Sequence, residues 1–183
     1  MGLVTKERRA ELETVYIGLG ANIPGPAGSP EATLAAAASS LERLGRVRAR
    51  SSLYSTAPVG LADQPRFLNA VVVLETELQP RELLTALLEI EREFGRNREA
   101  EVRNGPRALD LDILLYGARQ ISEPALEIPH ARLAERAFVL VPLAEIAPEA
   151  IDPRSGRTAK ELFAALGADF DAANRIECCE WLG

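Results

Sequence analysis

Short runs of alternating hydrophobic and polar residues recur along the chain, and two longer stretches between them have helical apolar spacing. Four runs are predicted as β-strands, because they alternate with a period of two or are rich in β-branched residues; they are 15–20, 47–54, 67–76 and 109–115. The stretches 30–44 and 80–94 carry apolar residues three and four positions apart, begin with proline and end before glycine. The predicted order is strand, helix, strand, strand, helix, strand.

This order is that of a split βαβ unit, so the predicted fold class is α+β: a ferredoxin-like βαββαβ antiparallel sheet with helices packed on it. Later segments at 136–146 and 158–166 predict extra C-terminal helices, and the second begins at a capping box of Thr158 and Glu161. The predicted organisation is a charged N-terminal extension at 1–13, a single domain at 14–166 and a C-terminal tail at 167–183.

Composition narrows the class of protein. The chain has 183 residues, which fits one domain, with 47% hydrophobic and 26% charged residues. Its net charge of −6 argues against a general nucleic-acid binder, which needs a positive face. No apolar run approaches the ~20 residues of a membrane span, and the charged first residues lack the apolar core of a signal peptide. We therefore expect a cytoplasmic protein that binds small molecules, not nucleic acid or membrane; the sequence assigns no protein partner.

Two aspartates, Asp110 and Asp112, lie one residue apart in the last predicted strand. Alternation places both carboxylates on one face of the strand. It assigns the opposite face to Leu109, Leu111, Ile113 and Leu115. Four arginines precede the pair: Arg96, Arg98, Arg103 and Arg107. Carboxylates for a metal and guanidinium groups for phosphoryl oxygens indicate a magnesium–phosphate site, with a solvated strand face as the alternative.

Three further polar residues have both a structural and a functional interpretation. Glu91 falls within the apolar stripe of the second helix, so it either lies at the rim of the core or is paired with another group, and its functional interpretation is a hydrogen bond to a ligand hydroxyl such as that of a ribose. His130, the only histidine, is either structural or a donor to a phosphate. Arg136 follows a short acidic stretch, so a surface ion pair is its alternative to phosphate binding.

Another group of residues suggests a site for a flat polar heterocycle. Backbone groups of the loop at 56–60 and the amide of Asn69 offer hydrogen bonds, and Phe67 and Phe138 are suited to stack on such a ring. Each residue alone is better explained by core packing or by a turn, so the prediction depends on their acting together. The sequence contains no P-loop, nucleophile-elbow or zinc-peptidase motif, which leaves those classes without support.

Taken in order, six motifs resemble those of the 6-hydroxymethyl-7,8-dihydropterin pyrophosphokinases of folate biosynthesis. They are YIGLGAN at 16–22, SSLYSTAPVG at 51–60, DQPRFLNA at 63–70, NGPRALDLDIL at 104–114, IPH at 128–130 and RAFVLVPL at 136–143. The stretch around the aspartate pair is the most specific. The resemblance implies a ferredoxin-like α+β fold and makes the domain at 14–166 a pyrophosphokinase. Such an enzyme transfers pyrophosphate from ATP to the pterin hydroxymethyl oxygen and releases AMP.

The resemblance also implies roles for individual residues. Asp110 and Asp112 would hold two Mg²⁺ ions, with ATP as co-substrate, and Arg96 and Arg107 would complete the catalytic group. The implied ATP-binding residues are Glu91, Arg98, Arg107, Ile113, His130 and Arg136. The implied pterin-binding residues are Thr56, Ala57, Val59, Phe67, Asn69, Asp110 and Phe138.

Several positions depart from the family pattern, so the contacts of the usual residues are not implied there. Ala57 replaces the first of two prolines often seen in the pterin loop, and Asn104 stands where some members carry tryptophan. Residues that contact the nucleotide in some relatives are replaced by Ala125, Glu127 and Ala131. Two other functions stay open from the residues alone. One is a ferredoxin-like module that binds a small anion without catalysis, and the other is a metal-dependent phosphohydrolase that uses the aspartate pair.

Overall fold

The structure, a computed structural model, describes residues 11–58, 63–98, 105–167, 177–179 and 181. Most of the predicted N-terminal extension therefore lies outside the described residues. The elements are, in chain order, β1 (Glu13–Ala21), α1 (Pro30–Ser40), β2 (Arg46–Arg50), β3 (Leu53–Thr56), β4 (Phe67–Thr76), α2 (Pro80–Glu93), β5 (Asp110–Tyr116), β6 (Ile121–Glu123), β7 (Leu126–Ile128), α3 (Ala137–Ile146), β8 (Ile151–Asp152), β9 (Arg157–Thr158), α4 (Ala159–Leu166) and β10 (Glu177–Cys179).

The strands of the main sheet pair antiparallel in the order β10-β3-β4-β1-β5, and β2 also pairs with β4. The strand β1 thus lies between β4 and β5. Through this pairing Gly20 lies opposite both Asn69 and Asp110, and Gly18 lies opposite Asp112. Polar residues of two strands therefore meet on either side of a strand whose facing residues have no side chain.

Helices α1 and α2 begin where the sequence supplies capping groups. The hydroxyl of Ser29 accepts a hydrogen bond from the Ala32 N–H, and Pro30 occupies the first turn of α1. At the start of α2, Gln79 and Glu82 form a capping box around Pro80. Both helix starts agree with the predicted segments.

Helices cover the sheet through two hydrophobic clusters. The first joins α1 and α2 to β-strand residues such as Ile17, Val72 and Leu111, and the second joins α3 and α4 to Val71 and Leu114. The mixed arrangement of helices with an antiparallel sheet confirms the predicted α+β class. None of the described helices has the length and apolar character needed to cross a bilayer.

The predicted strand at 47–54 is wrong as a single element, because β2 and β3 pair separately with β4. The break lies at Ser51. Its backbone N–H donates to the Val71 carbonyl at 2.9 Å, and its Oγ accepts from the Val71 N–H at 2.9 Å. A side chain therefore replaces a backbone acceptor at this position, which interrupts the ladder.

The predicted apolar face of the aspartate strand is correct for Leu109, Leu111 and Ile113 but wrong for Leu115. Leu115 packs in the second hydrophobic cluster, together with Leu114, on the side of α3 and α4. The register between β1 and β5 shifts between Tyr16 and Ile17, so β5 carries one extra residue there. A bulge of this kind reverses the alternation beyond it.

Candidate active site

A cavity of about 290 Å³ lies over β1, at the place where β4 and β5 carry their polar residues. Most residues predicted for the site line it: Thr56, Ala57, Phe67, Asn69, Arg96, Arg98, Arg107, Asp110, Asp112, His130, Arg136 and Phe138. Gly18 and Gly20 form part of the lining, and a Cβ on Gly20 would lie 3.3 Å from Asn69 Oδ1. The glycines thus leave the room that the cavity occupies.

Three predicted site residues do not line the cavity in the described part of the chain. Val59 lies outside the described residues. The side chain of Ile113 packs in the first hydrophobic cluster, on the face of β5 opposite the aspartates. Glu91 is buried within α2, with 1% of its side chain exposed. Neither the Ile113 nor the Glu91 side chain reaches the cavity, so the structure gives no direct ligand contact through them.

Asp110 is held by cations. Arg96 Nη1 donates to Asp110 Oδ1 and also to the Leu109 carbonyl at 3.1 Å, while Arg107 Nη1 donates to Asp110 Oδ2 at 2.7 Å. Burial favours the protonated acid, but Arg96 and Arg107 outweigh it and hold the pKa of Asp110 below its usual range. Asp110 is therefore ionised and fixed in orientation.

Asp112 has a different environment although it lies only two residues away. Among the described residues, the basic side chain within 4 Å of it is that of the neutral His130, whose Nε2 lies 3.9 Å from Asp112 Oδ2, and 38% of the Asp112 side chain is exposed. Burial, followed by the neighbouring charge of Asp110, raises the pKa of Asp112 to about 7. The ionised form of Asp112 is thus poorly balanced by the described residues, which is the situation that a bound cation relieves.

Glu91 organises the arginines from beneath the cavity. Its Oε1 accepts from Arg96 Nη1 at 2.9 Å and from Arg98 Nη2 at 2.8 Å, and its Oε2 accepts from Arg98 Nε at 2.8 Å. Oε1 also accepts from the Leu111 N–H at 2.8 Å, between the two aspartates. One buried carboxylate therefore fixes two guanidinium groups and the start of β5.

His130 is neutral and lies among cationic groups. Its Nδ1 accepts from the Arg132 N–H at 3.1 Å, and Arg136 Nη1, also a donor, lies 3.5 Å from its Nε2. Burial, with the nearby charge of Arg136, lowers the pKa of His130 to about 4. The backbone of His130 is held on both sides, because its N–H donates to the Leu114 carbonyl and its carbonyl accepts from Arg154 Nη2.

Aromatic rings form another part of the cavity lining. The Arg107 guanidinium lies 5.5 Å from the Phe67 ring centroid, and that of Arg136 lies 5.4 Å from the Phe138 centroid. Asn69 Nδ2 donates to Thr56 Oγ1 at 2.8 Å, which leaves the Asn69 Oδ1 available as an acceptor. This part of the cavity combines apolar faces with a few oriented polar groups.

Sequence reasoning assigned no role to two residues that shape this site. Asn22 is buried, and its Oδ1 accepts from the Arg107 N–H at 2.8 Å while its Nδ2 donates to Gln64 and to the Pro65 carbonyl. Arg132 lines the cavity beside His130. A polar amide directly after an apolar strand is the signal that marks Asn22; nothing in the sequence separates Arg132 from a surface arginine.

Comparison with known families bears on the three functions left open by the residues. Residues 16–148 match the family described as 7,8-dihydro-6-hydroxymethylpterin-pyrophosphokinase (HPPK). The chain belongs to this family. The matched residues include most of β1, all of β2 to β5 and every described residue that lines the cavity.

Individual HPPK relatives agree over most of the chain. The 2-amino-4-hydroxy-6-hydroxymethyldihydropteridine pyrophosphokinase of Pseudomonas aeruginosa is 47% identical over 167 residues, which cover 90% of this chain and 98% of the relative. The corresponding Bacillus subtilis protein is 48% identical over 133 residues, covering 72% of this chain and 76% of the relative. A crystal structure of Plasmodium falciparum HPPK-DHPS wild type with pteroate superposes with a TM-score of 0.69 at 15% identity, covering 88% of this chain and 46% of that one.

The positions that depart from the HPPK pattern lie mostly away from the cavity. Glu127 Oε1 lies 3.4 Å from Arg154 Nη1, outside the lining formed by the described residues, and Ala125 and Ala131 are also absent from that lining. Ala57 does line the cavity, whereas Asn104 lies outside the described residues. Ala57 is thus the departure that the structure places at the site.

Proposed function

We propose that this cavity is where the protein carries out the HPPK reaction, the transfer of pyrophosphate from ATP to the hydroxymethyl group of 6-hydroxymethyl-7,8-dihydropterin in folate synthesis. The observation that carries the proposal is the juxtaposition of an aspartate pair, a row of arginines and two phenylalanines around one cavity. Carboxylates and guanidinium groups suit a nucleotide tail, and aromatic faces suit a pterin ring. The products are AMP and the pterin diphosphate.

We propose that Asp110 and Asp112 hold Mg²⁺, in two ions. Among the described residues, no cluster of three or more His, Cys, Asp or Glu side chains is present. Mg²⁺ is commonly bound through one or two carboxylates together with substrate phosphates and water, so the pair fits this ion. The unbalanced charge of Asp112 supports the same assignment. When bound, the ions would neutralise phosphate charge and polarise the attacking hydroxyl.

The arginines supply the remaining positive charge. Arg96 and Arg107 are positioned by Asp110, and we assign them to the charge that moves between the phosphates during transfer. We assign Arg98, the neutral His130 and Arg136, which all line the cavity, to the nucleotide. In-line phosphoryl transfer asks little covalent chemistry of the protein, so held charges and positions account for most of the rate.

The pterin is assigned to the part of the cavity formed by β3, β4 and α3. Phe67 and Phe138 offer faces for the ring, and Asn69 and Thr56 offer polar groups at its edge. Ala57 lines the same part of the cavity. A contact with Val59 stays a prediction, because that residue lies outside the described part of the chain.

Glu91 and Ile113, predicted to bind ATP, take indirect roles in this proposal. Glu91 is a positioning residue that acts through Arg96 and Arg98, since its four accepted hydrogen bonds engage both carboxylate oxygens. The buried side chain of Ile113 leaves only its backbone available to a ligand. Neither side chain is therefore assigned a direct contact with the ribose or base of ATP.

Two finer expectations are kept as proposals. The strand order β3-β4-β1-β5, with α1 and α2 as the crossovers, supports classing the domain as ferredoxin-like with α3 and α4 as additional helices. A location in the cytoplasm, where ATP is abundant, stays a prediction. Small molecules remain the proposed partners, with no proposed role for nucleic acid or membrane.

The test is incubation of the protein with ATP, Mg²⁺ and 6-hydroxymethyl-7,8-dihydropterin, with AMP measured by chromatography. We expect AMP and the pterin diphosphate in equal amounts and almost no nucleotide turnover without the pterin. Release of phosphate or pyrophosphate without the pterin would instead favour a phosphohydrolase. Magnesium-dependent ATP binding without AMP formation would favour an anion-binding module.

A further inference from the structure

The segment near the C-terminus joins the main sheet beside the proposed pterin site. We propose that the C-terminal strap, defined as residues 177–179 together with Trp181, is a positioning element for the pterin side of the cavity. Its strand β10 pairs antiparallel with β3, with Cys178 opposite Tyr54 and Glu177 opposite Ser55. Nothing in the sequence assigned a role to this part of the chain. The inference rests on the assignment of Thr56, Phe67 and Asn69 to the pterin.

The strap is anchored at the end of β3 that enters the cavity. Glu177 Oε1 lies 3.8 Å from Arg66 Nη2. Arg66 in turn donates from Nε to Ser55 Oγ at 2.8 Å and from Nη2 to the Ser55 carbonyl at 2.9 Å. Arg66 thus holds Ser55, the residue directly before Thr56, and Glu177 lies beside the Arg66 guanidinium.

A second anchor holds Ser51, two positions before the first residue of β3. Trp181 Nε1 donates to the Ser51 carbonyl at 2.7 Å, and its ring packs on the hydrophobic cluster that also contains Leu53. Ser51 is the residue that exchanges hydrogen bonds with Val71, which lines the cavity. The strap therefore holds β3 near both of its ends.

Loss of the strap should affect binding of the pterin and not of ATP, because β3 ends at the proposed pterin site. Thr56 is its last residue, pairs with Phe67 and accepts the hydrogen bond from Asn69. Without the strap, β3 would be a four-residue edge strand with one row of unpaired backbone groups. Asp110 and Asp112 lie on β5, at the far side of β4 and β1. A loosened β3 should therefore disturb the pterin contacts and leave the nucleotide contacts in place.

The experiment uses the full chain with two substitutions. Cys178→Pro fixes φ near about −65°, away from the about −140° of an antiparallel strand, and so disrupts pairing of β10, and Cys178→Ser is its matched control at an exposed position. Trp181→Phe removes the indole donor but keeps a ring. Tyr116→Phe is its control, because it removes a side-chain donor to the Leu78 carbonyl on the far side of the sheet.

Binding of the pterin is measured by calorimetry with each variant saturated by a non-cleavable ATP analogue and Mg²⁺, and the analogue alone is titrated separately. We expect the pterin Kd to rise about five- to tenfold in Cys178→Pro, and less in Trp181→Phe, since preorganisation of the site is lost. The Kd of the analogue should change by less than about twofold, and both controls should match the unmodified chain. The KM for the pterin should rise in the two strap variants in the same way, while the KM for ATP should stay nearly unchanged.

Three results would overturn the proposal. Equal weakening of pterin and nucleotide binding would mean that the strap supports only general stability. Unchanged Kd values in the variants of an active enzyme would mean that it merely covers the sheet edge. Failure of the unmodified chain to bind the pterin at all would reject the assignment of the pterin site as well, and so is distinguishable from failure of the strap alone.

Discussion

The two aspartates should affect stability in opposite directions when each is replaced by asparagine. Asp112→Asn removes a charge that the folded protein balances poorly, so in the absence of Mg²⁺ we expect it to stabilise the fold at pH 8. Asp110→Asn removes the shared partner of Arg96 and Arg107, so we expect it to destabilise the fold at the same pH.

The magnitudes follow from burial. A rise in the pKa of Asp112 from about 4 to about 7 would correspond to roughly 4 kcal/mol in a dry site. Because 38% of the side chain is exposed, screening reduces the expected gain to about 1–2 kcal/mol. For Asp110→Asn, the 7% exposed side chain of Arg96 loses one charged partner but keeps Glu91, and we expect a loss of about 2 kcal/mol.

The pH dependence of the free energy of unfolding should show the same opposite signs for the two aspartates. The folded state holds the proton of Asp112 more tightly than the unfolded chain does, so its contribution to stability falls as the pH rises from about 4 to about 7. The gain of Asp112→Asn should therefore be absent near pH 4 and complete at pH 8. Asp110 has a lowered pKa, so its stabilisation is present above pH 4 and is lost as the pH falls through its folded pKa.

The assay is urea unfolding followed by circular dichroism, with EDTA present, at pH 4.5 and at pH 8. Glu89→Gln, which neutralises an exposed carboxylate of α2, serves as the neutralisation control. Destabilisation by Asp112→Asn of more than about 1 kcal/mol at pH 8 would mean that the Asp112 carboxylate has a stabilising partner in the folded protein, and would refute the expected gain. Equal effects of the two substitutions would refute the distinction between them.

Substitutions at three other residues test the remaining assignments. Glu91→Gln should raise the KM for ATP and lower kcat by about tenfold or more, because two arginines lose their shared anchor; an unchanged kcat would reject the positioning role. Asn69→Ala should raise the KM for the pterin with little change in that for ATP, and the reverse pattern would reassign this residue to the nucleotide. His130→Gln should keep much more activity than His130→Ala. Titration of His130 should not contribute to the pH dependence of the rate between pH 5 and 8, because its pKa is about 4. A rate profile that loses a step near neutral pH in His130→Gln would show a charged role.

The arrangement of the aspartates was predictable because it depends only on local periodicity. Residues two apart on a strand share a face whatever the strand packs against, so Asp110 and Asp112 could be placed together before the sheet was known. The alternation failed at Leu115, where a bulge in the pairing with β1 intervenes. Bulges arise from the relation between two strands and leave little trace in either one alone.

The partners of the charged residues were less predictable. The sequence indicates that Glu91 is unusual for its place in an apolar stripe, but it does not say which of several arginines will reach it. Arg96 and Arg98 do so because the chain after α2 turns back over β5. Asn22 and the C-terminal strap were missed for the same reason, since their partners are distant in sequence and are brought near only by the sheet order.

The most direct test of the account is the rate of AMP formation by Asp112→Asn, measured with saturating ATP, pterin and Mg²⁺ at pH 8, where this variant should be at least as stable as the unmodified chain. We predict that AMP formation falls by about a thousandfold or more while the fold is retained, because the carboxylate proposed to hold the metal is gone. AMP formation at the rate of the unmodified chain would contradict the proposal that this aspartate pair supports pyrophosphate transfer.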